Sequence, residues 1–219
     1  MISLNILNIK HAIPRDELKP ISVLFLSVLI LAIHKTFGSI PFAQQIFSGT
    51  SEYGTVIYMF LSTFILLGLA PLLLINLGFK ESIKNYGLII GDWKTGLKII
   101  AILFPVISLF VLYPSIYNQE MVNFYPQSKE AAGSIKLFLK FEAIRILFFY
   151  TGWEIFFRGF MLFGLRKHVG DAMAICIQII PSCLWHIGMP TGEIFASIFG
   201  GILFGMMALR TGSILYPYI

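Results

Sequence analysis

The sequence predicts an all-α fold, a polytopic bundle of transmembrane helices, and three observations predict it. Hydrophobic residues make up 57% of the 219 and charged residues only 12%, with a mean hydropathy of +0.83. A soluble domain of this size would expose more apolar surface than water tolerates, whereas lipid accepts it. The apolar residues fall into runs close to the ~20 residues needed to cross a hydrocarbon core. Lys and Arg lie mostly between those runs, so the formal charge of +5 reads as basic loops against anionic lipid and not as a nucleic-acid surface.

Six full spans and the start of a seventh follow in order. Residues 1–20, mixed and charged, read as a cytoplasmic N-terminal segment without a cleavable signal peptide, and residues 21–219 as the transmembrane domain. The apolar runs are Ile21 to Phe37, Thr55 to Leu77, Thr95 to Tyr117, Ile135 to Leu165, Ala172 to Ile187 and Ile194 to Leu209. The fourth is long enough to tilt or protrude, and the fifth is near the short limit. Lys10, Arg15 and Lys19 precede the first run, Lys80, Lys84 and Lys94 follow the second, Arg166, Lys167 and His168 follow the fourth, and Arg210 follows the sixth. The loop near Gly49 has no Lys or Arg, so the spans alternate with the N-terminus inside, as in a multi-pass protein of the plasma membrane. On the sixth run Ala196 and Gly200, and Ser197, Gly201 and Gly205, repeat at every fourth position, which lets a neighbouring helix approach closely. After Thr211-Gly212-Ser213 a new apolar run, Ile214 to Ile219, starts and stops well short of a span, as in a truncated chain. Cys176 and Cys183, seven residues apart in one apolar run, form neither a CxxC pair nor a disulfide framework and read as buried, inert thiols.

Ionisable side chains inside a bilayer are costly, and their default reading is function. Glu154 and Arg158 stand one helical turn apart in the fourth run, and His186 closes the fifth. Counted from the basic loop near residues 167–171 at about 1.5 Å per residue, Glu154 lies roughly 20 Å, Arg158 roughly 14 Å and His186 roughly 23 Å from that boundary. Consecutive antiparallel helices are neighbours, so Glu154 and His186 can face each other. Glu before Arg at i,i+4 is the favourable order for an ion pair. Pro181 frees a carbonyl in the fifth span, a device tolerated where protein or a water-filled cavity re-satisfies it. Structural alternatives stand beside these readings. The Glu154-Arg158 pair can be a packing clamp, and His186 beside Trp185 an interfacial belt residue. Glu142 with Arg145, and His34 with Lys35, read as surface or snorkelling groups, and Glu193 as a helix N-terminal cap.

The motif inventory narrows the chemistry. His-Glu-x-x-His is absent, so no zinc site or other cofactor is implied. Asp16, Asp92 and Asp171 lie in loops or at edges, which removes an aspartyl pair. No Gly-x-Ser-x-Gly elbow occurs, leaving only Ser182, four residues before His186, as a weak nucleophile candidate. A carboxylate and an imidazole that activate water directly remain.

Three ordered elements, Trp153-Glu154-x-x-x-Arg158-Gly159-Phe160, the Pro181 segment ending in Trp185-His186-Ile187-Gly188-Met189-Pro190, and Gly200-Gly201…Gly205…Ala208 to Ser213, resemble the CAAX prenyl protease and bacteriocin-processing (CPBP, Abi) family of intramembrane proteins over roughly residues 144–219, within a core of about 135–219. The resemblance implies an all-helical bundle and a glutamate/histidine endopeptidase without a catalytic metal, with Glu154, His186 and Arg158 as its site residues. It implies a peptide or protein substrate, with a prenylated peptide and a bacteriocin precursor both compatible. The family's first motif has two adjacent glutamates, and the first is Trp153 here, so either Glu154 takes over the base or the scaffold serves a non-catalytic immunity or chaperone-like role. The family's last histidine motif is expected beyond Ile219. A transporter with Glu154 as proton carrier would call for an internal repeat, and none is found.

Overall fold

The computed structural model describes residue 14 and residues 16–219 of the chain, so the charges assigned to Lys10 and Arg15 lie outside the described residues. Among the described residues every regular element is helical. Five helices are long and apolar enough to cross a membrane: α1 (Leu18–Phe37), α3 (Glu52–Gly78), α4 (Trp93–Ser115), α6 (Ile135–Val169) and α8 (Thr191–Thr211). Between them lie the short α2 (Ile40–Ile46) and α5 (Gln119–Phe124). The predicted fifth span is α7 (Asp171–Trp185), which is apolar but only 15 residues long. His186 caps it ahead of the Gly188-Met189-Pro190 turn, so it stops two residues before the Ile187 of the sequence reading. The final run forms a four-residue helix, α9 (Leu215–Tyr218).

Caps fix where these helices begin. The side chains of Ser51, Asp92 and Ser134 accept from the backbone N–H groups of Gly54, Thr95 and Leu137 at 3.2, 3.1 and 3.2 Å, satisfying donors that the first turns of α3, α4 and α6 leave open. The loops rich in Lys and Arg gather at one end. There Lys19 pairs with Glu81 at 2.8 Å, Arg166 with Asp171 at 2.8 Å, and Asp92 N–H donates to the Thr211 carbonyl at 2.8 Å.

Helix α6 is the axis of the bundle. Some 67% of its most apolar window is buried, against 6% for α4, which therefore sits at the periphery with its apolar side chains turned outward, as lipid allows. Phe156, Phe157, Phe160, Leu162 and Leu165 of α6 are fully enclosed by α1, α3, α7 and α8. Gly152 makes this closeness possible. A Cβ there would stand 2.7 Å from the Thr63 carbonyl oxygen, so α3 and α6 meet backbone to backbone at the turn that carries Glu154. The small-residue pattern of α8 serves the same purpose at Gly201 and Gly205, which face Ile179 and Ile175 of α7. Gln178 seals that interface by donating to the Gly201 carbonyl at 2.9 Å.

Two expectations are corrected. His34 is no snorkelling group: it is 1% exposed, packed between α3 and α7, because the helix face that carries it points into the bundle. Cys176 is exposed and Cys183 half-buried, since both fall on α7 away from its contact with α6.

Candidate active site

Helix α6 widens into i→i+5 turns over Ile155–Phe163, immediately after Glu154. The same widening occurs in α3, in α4 and earlier in α6, so the site is marked by its side chains and not by the turn itself. Arg158 Nη1 lies 3.0 Å from Glu154 Oε1, and the two residues are 3% and 5% exposed. The approach is an ion contact without hydrogen-bond alignment, and it leaves polar atoms over: Glu154 Oε2, Arg158 Nε and Arg158 Nη1 are buried with no hydrogen-bond partner. The Arg158 guanidinium also stands over the Phe204 ring at 5.5 Å, which anchors it toward α8. Unpartnered charged atoms in a dry core are strongly destabilising, and the two residues that carry them border open space.

That space exists. Glu154, Arg158 and His186 line one cavity of about 850 Å³ between α4, α6, α7, α8 and α9. Its α4 wall is apolar, with Ile100, Phe104 and Ile107, while the facing wall carries the charged groups. His186 caps α7, and its Nδ1 is 2.7 Å from the Ser182 carbonyl oxygen. A carbonyl only accepts, so Nδ1 carries the hydrogen and Nε2 is the nitrogen left for the cavity. Ser182 thus contributes its backbone to the site; its side chain is 3% exposed.

Trp153 occupies the position next to Glu154 and fills the corner beside the imidazole. Its ring meets His186 edge-on at 5.7 Å and Trp185 at 6.2 Å, and it packs against Phe157 at 4.4 Å. Indole offers neither a base nor an acceptor there.

Further polar residues line the same cavity. Glu142 and Arg145 pair at 2.7 Å with side chains 20% and 23% exposed, so they are half-buried wall groups of the cavity. Tyr125, from the loop between α5 and α6, donates to Glu193 Oε1 at 2.6 Å, and Glu193 Oε2 has no partner. Burial, then the Glu193 carboxylate, pushes the Tyr125 phenol well above its ordinary value, so it stays a donor. Glu193 does sit in the first turn of α8, as read from sequence, but its side chain works across the cavity mouth. Nothing in the pattern around Tyr125 announces this role; its loop comes back over the mouth only in the fold, with Glu120 accepting from Thr191 N–H at 3.0 Å. Among the described residues, no three His, Cys, Asp or Glu side chains gather as a metal site.

The chain matches no curated protein and no solved structure. The segment that supplies α6 from its first turns, α7, α8 and α9, and with them Glu154, Arg158 and His186, is also the segment with a family match: residues 139–219 match the type II CAAX prenyl endopeptidase Rce1-like family, the same family that the three sequence elements resemble.

Proposed function

We propose that the chain is an intramembrane peptidase of the CAAX type, in which Glu154 and His186 activate water on a membrane-associated peptide. The observation that carries this reading is the shared cavity, which Glu154, Arg158 and His186 all line and for which the imidazole keeps the nitrogen not used by the Ser182 carbonyl. In this reading water is held between the Glu154 carboxylate and His186 Nε2. Its oxygen bonds to the scissile carbonyl carbon as its proton passes to the carboxylate, and that proton then leaves with the amine when the C–N bond breaks. Arg158 orients the Glu154 carboxylate, and its guanidinium can hold the carbonyl oxygen as negative charge develops. The apolar α4 wall takes the hydrophobic part of the substrate. The basic end of the bundle is placed on the cytoplasmic face of the plasma membrane, by loop charge.

One observation favours a second reading. Trp153 stands where the family has its first glutamate and blocks one side of His186, which suits a non-catalytic immunity or chaperone-like scaffold. A cellular complementation assay separates the two. The peptidase reading expects Glu154→Gln to abolish the phenotype with expression intact. The scaffold reading expects Glu154→Gln to be silent and Gly201→Leu, which drives a side chain into Ile179, to be the damaging change.

A further inference from the structure

His34 lies on α1, outside the segment that builds the cavity, yet it is among the most completely buried polar residues described. Its Nε2 is 2.8 Å from Thr63 Oγ1, and the Thr63 hydroxyl donates its single hydrogen to the Met59 carbonyl at 2.7 Å. The hydroxyl can then only accept from the imidazole, so Nε2 carries the hydrogen and Nδ1 is a bare, buried acceptor with no partner. The ring lies 4.8 Å from the Trp185 ring, tilted by 44°. The next residue, Lys35, places its Nζ 4.8 Å from the centroid of the same indole. Trp185 therefore is held by two consecutive residues of α1. Its peptide neighbour is His186, and Trp153 touches both rings. The Thr63 end of the junction reaches the site as well, because the Thr63 carbonyl is the atom against which Gly152 is packed.

A histidine is an expensive way to fill this position, since one polar nitrogen goes unsatisfied and a leucine would leave none. What the imidazole adds is a donor on one edge, fixing α1 to α3, and a flat face for Trp185, fixing α1 to α7. We propose that His34, with Lys35, is a positioning residue for His186, acting through the Trp185 indole to hold the imidazole toward Glu154. This rests on the peptidase reading for its consequence in turnover, but not for its structural content. Loss of the backing ring lets Trp185 relax, Trp153 follow, and the His186 Nδ1–H contact with the Ser182 carbonyl loosen. Small misplacements of a reacting group cost up to roughly a hundredfold in rate.

The test uses the full chain in lipid nanodiscs and two readouts. The first is ¹⁵N NMR of histidine-labelled protein, in which the ring nitrogens of His186 report whether Nδ1 carries the hydrogen; four histidines make assignment tractable. The second is turnover of a lipidated peptide probe. His34→Gln keeps the amide donor for Thr63 and removes the ring. It is expected to mix the His186 tautomers and to lower kcat by roughly 10- to 100-fold, with KM within about twofold. His34→Phe keeps a ring against Trp185 and is expected to retain the wild-type His186 signature. Lys35 is exposed and its substitution spares the core; Lys35→Met loses only the cation–π contact and is expected to lower kcat roughly two- to fivefold. An unchanged His186 signature in His34→Gln overturns the proposal, as does equal behaviour of Gln and Phe. If His34 variants fail to fold, a Lys35→Met protein with wild-type turnover overturns it. A wild-type protein that cleaves nothing overturns the peptidase reading alone, because the ¹⁵N readout still decides the positioning claim.

Discussion

Trp153 sets its ring perpendicular to His186 at 5.7 Å, so the residue preceding Glu154 on α6 and the residue capping α7 are in direct contact. That contact joins the two helices beside Glu154 and His186, which line the same cavity. The indole fills that corner by packing against Phe157 and Trp185. Trp153→Glu is therefore expected to raise cleavage, if the protein folds, because it adds a base beside the imidazole without removing Glu154. Turnover per folded molecule, with folding checked by size-exclusion profile, reads this directly.

Arg158 has the Glu154 carboxylate as its only ion-pair partner among the described residues. Arg158→Ala strands that carboxylate 5% exposed in the bundle, and breaking a buried pair from one side costs about 3–5 kcal/mol. Thermal melting in detergent should show a drop of that order. A melting temperature equal to wild type would mean that the pair is solvated.

Close backbone contact explains Gly152 and leaves Gly192 free to change. Gly152→Ala puts a Cβ 2.7 Å from the Thr63 carbonyl oxygen, which cannot rotate away as a side chain would. Forced separation of α3 from α6 is expected to cost about 1–3 kcal/mol. Gly192→Ala meets nothing within 4 Å and should melt as wild type does. Parallel melts of the two variants test the helix contact without any assay of function.

Outside the membrane, pH acts on Glu81. Burial raises its carboxyl, but the Lys19 ammonium and the Tyr86 phenol outweigh it and hold the group below its ordinary 4.5. A depressed folded value gives stability that is present above the ordinary value and is lost as pH falls through the folded one. Glu81→Gln should therefore melt slightly below wild type near neutral pH, by a small amount because the pair is partly exposed, and converge with wild type as pH falls through the folded value.

The bundle was legible from the sequence because lipid makes hydropathy nearly sufficient: runs of apolar residues and basic loops mark the spans and their alternation. Glu154, Arg158 and His186 stood out for the same reason, as polar groups where polarity is costly. What the pattern did not carry was rotation about each helix axis. His34 and Glu142 look alike as polar residues near span ends, but one faces the interior of the bundle and the other the cavity wall. Tyr125 sits in a loop, where hydropathy carries no positional information, and its contact with Glu193 spans 68 residues. The short α7 is set by the Gly188-Met189-Pro190 turn, a local stop signal that hydropathy alone runs past.

Whether Glu154 and His186 act as one unit is measured by a double-mutant cycle on peptide cleavage. Glu154→Gln and His186→Ala should each lower turnover by roughly 10²- to 10⁴-fold. Groups that hold a single water act together, so the double variant should be about as slow as the slower single variant. Additive losses, or a Glu154→Gln protein that cleaves at the wild-type rate, would contradict a joint site.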